Sequence, residues 1–97
     1  MENIQDKKNF LKVTTDWTDV EIISEPYVIL TIRGYAPAVT IKNQNGEELG
    51  FYLSAKSLSD KVEELRKKNN NNFTGIKFKV KKESNEKFAQ YLIEELI

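Results

Sequence analysis

Apolar residues recur at every second position in several stretches of this chain, and at a spacing of three to four most clearly over one. The switch of period falls between Leu53 and Leu58. A chain written this way has one substantial helix and is otherwise strand, which confines it to mainly β architectures. The helical stretch is Ser57–Lys68, with Leu58, Val62 and Leu65 on a single narrow stripe. Ser57 is placed to cap its start, with Asp60 three residues on. Asp60, Glu63 and Glu64 precede Arg66, Lys67 and Lys68, the order that the helix dipole favours. So narrow a stripe predicts a helix that lies on a surface and plugs a sheet.

Phe10–Trp17 reads as a first extended segment with Leu11, Val13, Thr15 and Trp17 on one face. Val20–Gly34 is a long β-rich stretch broken at Glu25-Pro26, because proline cannot donate to a ladder. Within it, Tyr27–Arg33 carries the densest β-branched pattern. Tyr35-Ala36-Pro37 reads as a short loop. Ala38–Asn43 and Glu47–Leu53 then form a hairpin around Gln44-Asn45-Gly46, where Asn-Gly tolerates positive φ. A three-residue loop with Gly46 left-handed opposes Ile41 to Leu49 and Val39 to Phe51. That register gathers Val39, Ile41, Leu49, Phe51 and Leu53 on one face, and a buried face fixes pairing. Gly75–Lys82 is a strand with Ile76, Phe78 and Val80 on one side and Lys77, Lys79 and Lys81 on the other. Lys87–Ile93 fits either a helix or a returning strand. The strand is preferred, since a four-residue loop pairs Val80 with Ala89, Phe78 with Tyr91 and Ile76 with Ile93.

The chemistry open to the chain is narrow. It has 97 residues, enough for one domain, and neither cysteine nor histidine. That removes disulfides, thiol catalysis, Cys–zinc sites and the commonest general base and metal ligand. The carboxylate pairs Glu47-Glu48, Glu63-Glu64 and Glu94-Glu95 point apart on any strand or helix. The four glycines are scattered, with no phosphate-cradling loop. Asp16 and Asp19 beside Trp17 fit a turn as well as a cation site. The chain is expected not to be an enzyme and to use no cofactor or transition metal. No run of about 18 apolar residues exists and the first residues lack a signal pattern, so a cytoplasmic location is expected.

Fifteen basic and fifteen acidic residues cancel, but they are segregated. Residues 66–82 hold seven basic residues and no acid, for a net charge of +7; residues 1–65 are net −4 and residues 83–97 net −3. A local positive patch on a neutral chain can attract a polyanion, because the field near a surface follows nearby charge. A solvated helix end and strand face explains the same run equally well.

The order strand, strand, strand, helix, strand, strand is similar to that of the OB-fold, a five-stranded barrel. The stretch Phe73-Thr74-Gly75-Ile76-Lys77-Phe78-Lys79-Val80-Lys81-Lys82, followed by Lys87-Phe88-Ala89-Gln90-Tyr91, resembles the glycine-started basic hairpin of small OB-fold single-stranded nucleic-acid-binding proteins of phage and archaeal type. The resemblance implies an OB-like domain over residues 20–97, with residues 1–19 as an N-terminal extension. It also implies binding of single strands, DNA in preference to RNA, with little sequence specificity. Cations along a groove and aromatic faces for bases are what such binding needs. The residues that supply them are Arg33, Lys42, Lys77, Lys79, Lys81 and Lys82, with Tyr35, Tyr52 and Phe88 for stacking. The alternative is a protein-interaction module or homodimeric accessory subunit, using exposed strand edges, the Ser57–Lys68 helix and the apolar tail Leu92–Ile97.

Overall fold

A computed structural model describes residues 9–86 and 89–96. Its elements are β1 (Thr18–Ile22), β2 (Tyr27–Thr31), β3 (Gly34–Asn43), β4 (Glu48–Tyr52), α1 (Lys56–Lys68), β5 (Lys77–Lys82) and β6 (Tyr91–Glu95). The six strands form one antiparallel sheet in the order β2-β3-β1-β5-β6, with β4 on the other edge of β3. The fold is therefore mainly β with one helix. The sheet is not closed into a barrel: β4 and β6, whose pairing would close it, have no ladder between them among the described residues.

The expected long first strand is two strands, because residues 23–26 oppose only Val39 and Thr40 between the pairs Ile22–Ile41 and Tyr27–Ala38. The surplus is tied down by side chains. Ser24 Oγ accepts the Thr40 N–H at 2.9 Å. The Glu25 carboxylate accepts the N–H groups of Phe73 and Thr74 at 3.1 and 2.8 Å and the Thr74 hydroxyl at 2.7 Å. These bonds hold its carboxyl below the ordinary glutamate value.

Tyr35-Ala36-Pro37 is not a loop. The chain reverses one step earlier, at Ile32-Arg33, and residues 34–38 pair with β2. Thr31 makes this turn without Asn-Gly: its hydroxyl donates to Gly34 O at 2.7 Å and accepts the Arg33 N–H at 3.1 Å, and Gly34 takes φ +116°. Pro37 is tolerated because its backbone polar side faces away from β2. Its carbonyl accepts the Leu53 N–H at 2.9 Å, so the missing N–H falls outside the β2–β3 ladder.

The β3–β4 hairpin has the expected register, Ile41 with Leu49 and Val39 with Phe51, and Gly46 has φ +83°. The last strand is a strand, but displaced by four residues: Val80 pairs with Ile93 and Lys82 with Tyr91. The same residue parity faces inward. The helix sets the slip, since α1 packs on β6 and Ser57 Oγ accepts the Tyr91 N–H at 3.3 Å. Ser57 is thus not the helix cap; Ala55 holds that position, without a side-chain bond. Leu58, Val62 and Leu65 are buried as the stripe requires. They close a core with Val20, Ile22, Val39, Ile41, Phe51, Phe78, Val80 and Ile93. After α1, Asn70 and Asn71 adopt left-handed φ, and Asn69 Nδ2 bridges the carbonyls of Asn72 and Thr74, turning the chain into β5.

Phe10–Trp17 does not form a strand with one apolar face. It runs in parallel sense along the outer edge of β4 at a single bridge, Phe10 with Gly50, and then reaches the end of β5, where Thr14 O accepts the Lys82 N–H. Gly50 is buried, and a Cβ there would lie 2.5–2.8 Å from three carbons of the Phe10 ring, so glycine makes this approach possible. Leu11 and Val13 pack on the core, while Thr15 and Trp17 remain exposed. No described helix is long and apolar enough to cross a membrane.

Candidate nucleic-acid interface

Lys77, Lys79 and Lys81 share the outward face of β5, because Phe78 and Val80 between them are fully buried. Spatial neighbours change what this row means. Glu21 of β1 lies opposite Lys77 on one side and opposite Lys42 of β3 on the other. Asp19 and Glu94 flank Lys79, with Lys79 Nζ 3.4 Å from Glu94 Oε1. Lys42 also faces Glu48. The charge segregated along the chain is thereby interleaved across the sheet. Cross-strand pairs of opposite charge contribute roughly 0.2–1 kcal/mol each and leave little net field.

One place on this face departs from the pattern. The β1–β5 register, Thr18 with Val80, carries Trp17 alongside Lys81. The ammonium groups of Lys79 and Lys81 lie 4.8 and 4.9 Å from the centroid of the Trp17 ring. Trp17 stays 36% exposed, so this cation–aromatic cluster is open to solvent. Sequence reasoning did not select Trp17 because it grouped that residue with Leu11 and Val13. The signal was present in the register: once Val20 and Phe78 are paired as core neighbours, counting outward brings Trp17 to Lys81. Lys82 sits beside the cluster at the end of β5, half-buried, its N–H donated to Thr14 O at 2.7 Å.

The other expected residues lie elsewhere. Arg33 and Tyr35 occupy the tip of the β2–β3 hairpin, where Tyr35 is 77% exposed beside Val28, Leu30 and Ile32 at 63%, 68% and 104%. Tyr52 stacks on Phe10 with centroids 4.4 Å apart, so one of its ring faces is already covered. Phe88 lies outside the described residues. Between hairpin and body runs an open groove of about 1140 Å³, lined by Leu30, Ile32 and Tyr35 and by Leu11, Leu58 and Tyr91.

The helix end, the other half of the basic run, is also compensated. Arg66 pairs with Glu63, holding that carboxyl below its ordinary range and the guanidinium above its own, and Lys68 approaches Glu95 at 3.8 Å. Among the described residues no group of three or more carboxylates gathers to hold a metal. No family model, curated protein or solved structure matches the chain.

Proposed function

We propose that this protein is a non-catalytic binder of single-stranded nucleic acid. The observation that carries this reading is the convergence of Lys79 and Lys81 on the exposed Trp17 ring. Single-strand binding joins a flat aromatic face, on which a base stacks, to cations that follow the phosphates. Trp17 supplies the first; Lys77, Lys81 and Lys82 supply the second, since Lys79 is engaged by Glu94. An OB-like architecture fits the same reading. The sheet path β4-β3-β1-β5-β6 with one helix before β5 becomes a partly open barrel if residues 9–11, on the outer edge of β4, stand in for closure.

Because carboxylates interleave with the lysines, the electrostatic share of binding is modest. Three phosphate contacts give a salt slope of about 2, at roughly 0.7 per phosphate for a single strand. Titrating the protein into a fluorophore-labelled 30-nucleotide single strand and following the anisotropy of the label at two salt concentrations tests this. Trp17→Leu should weaken binding by roughly 1–3 kcal/mol with the slope unchanged. Lys77→Glu with Lys81→Glu should weaken binding and lower the slope to about 0.7, that of one remaining contact, with the fold intact. A folded sample that shows no response at low salt overturns the proposal. The reading as a protein-interaction module is favoured by a different observation, the exposed apolar face of the β2–β3 hairpin.

A further inference from the structure

We infer that β2 is the seam of a homodimer, in which the outer edge of β2 pairs antiparallel with the same edge of a second copy about a two-fold axis at Ile29. The inference uses neither Trp17 nor the lysine row, so it stands apart from nucleic-acid binding.

The backbone defines the edge. Residues of a strand send their N–H and C=O to alternate sides. Pro37 directs its carbonyl to Leu53, away from β2, so its partner Val28 directs its own polar groups away from β3. Leu30, two residues on, does the same. Among the described residues no strand lies along that side of β2; the segment leading into β5 covers the same side as far as Ile22, bonded by Gly75 and Ile76, and Glu25, bonded by Phe73 and Thr74, and stops short of Tyr27. The edge thus presents the N–H and C=O of Val28 and Leu30. Pro26–Ile32 contains no charge. Uncharged, β-branched edge strands are templates for pairing, and folds normally blunt them with lysine, a bulge or a cover.

A second copy fits better than an arbitrary strand because the edge is complementary to itself. Two-fold pairing about Ile29 sets Val28 against the partner's Leu30, and Leu30 against the partner's Val28, as hydrogen-bonded pairs. The exposed side chains of both residues then cover each other on one face. The same pairing brings Arg33, in the turn at the hairpin tip, to the end of the seam where the partner's Glu25 lies in its bulge. Glu25 is charged and exposed, and its Oε1, at 3.3 Å from Phe73 N, retains capacity to accept from a guanidinium. Opposite charge at the two ends of an uncharged seam favours antiparallel pairing of this edge with its own copy.

The chain has no cysteine, so single-cysteine variants test the geometry directly. A residue on the axis is a non-hydrogen-bonded pair with itself, with Cα atoms about 4.5 Å apart, inside the disulfide range. A diagonal neighbour lies at about 7–8 Å, outside it. Under mild oxidation Ile29→Cys should form a covalent dimer readily and Val28→Cys should lag well behind, because only the first pair lies inside the disulfide range. Sedimentation of the wild-type chain at about 0.1 mM should show a dimer, since a micromolar complex is almost fully assembled there. Leu30→Pro removes an N–H that points into the seam and not into the β2–β3 ladder. It should give a folded monomer, and Arg33→Glu should raise the dissociation constant by about tenfold, the size of one charge pair turned repulsive. A wild-type monomer, equal cross-linking of Val28→Cys, or a Leu30→Pro chain that still dimerises overturns the inference. The last two variants decide the matter if Ile29→Cys fails to fold.

Discussion

β5 and β2 are both alternating strands, yet burial runs opposite ways along them. In β5 the residues on the core face, Phe78 and Val80, are fully buried, and Lys77 on the other face is exposed. In β2 the residues on the continuation of that face, Val28 and Leu30, are 63% and 68% exposed, while Ile29 behind them is 6% exposed. Position explains the inversion. β5 lies between β1 and β6 with the core beneath it. β2 continues β1 past the bulge at residues 23–26, with β3 alone beside it. Period two therefore decides which residues share a face. It does not decide whether another layer covers that face.

The largest expected effect tests the β5 half of this comparison. Phe78→Ala should cost about 3–5 kcal/mol by chemical denaturation, because a fully buried ring leaves a cavity under the sheet. Lys77→Ala, one residue away, should stay within about 0.5 kcal/mol. If Lys77→Ala destabilised the protein comparably, the neutral ladder with Glu21 would be structural, and a nucleic-acid role for that lysine would lose its basis.

The β2 half predicts a reversed contrast of intermediate size. Ile29→Ala should cost about 2–4 kcal/mol, in the range for buried aliphatic truncation. Leu30→Ala in dilute solution should change stability by no more than about 0.5 kcal/mol, since its side chain already faces water. Equal losses at both positions would mean that the hairpin face is covered.

These two strands also show what could be read from the residues alone. The β3–β4 register was legible because Asn45-Gly46 fixes the turn and five apolar residues fix the face. The helix and its buried stripe were legible for the same reason of period. The turn at Ile32-Arg33 was not, because Thr31 closes it with its hydroxyl in place of Asn-Gly. Nor was the slip of β6, which depends on a contact with Ser57 thirty-four residues away in sequence. At the site, the lysine alternation was read correctly but the carboxylates interleaved with it were not. Asp19, Glu21 and Glu94 reach Lys77 and Lys79 only through pairing with β1 and β6. The exposed hairpin was the least visible feature, since Tyr-Val-Ile-Leu-Thr-Ile has the composition of a core strand.

The smallest effect concerns Glu25, which joins the two regions by tying the base of the β2–β3 hairpin to the turn that enters β5. Bonds from the Thr74 N–H, the Thr74 hydroxyl and the Phe73 N–H, helped by the nearby Arg66 charge, lower its folded-state pKa below 4.5. A carboxyl with a depressed folded pKa binds protons more readily when unfolded. Its stabilising contribution is therefore fully present above the ordinary glutamate value and is lost as pH falls through the folded value. Glu63, lowered by Arg66, acts in the same direction, so the wild-type profile alone does not isolate Glu25. Comparison with Glu25→Gln does, since the amide keeps an acceptor oxygen and cannot titrate. The wild type should melt slightly above the variant at pH 7, and the two curves should draw together as pH falls below the ordinary glutamate range. A difference that stays constant as pH falls through the acid limb of the stability profile would assign the effect of the substitution to shape and not to charge. The hairpin and β5 would then be coupled through the bulge backbone rather than through this carboxylate.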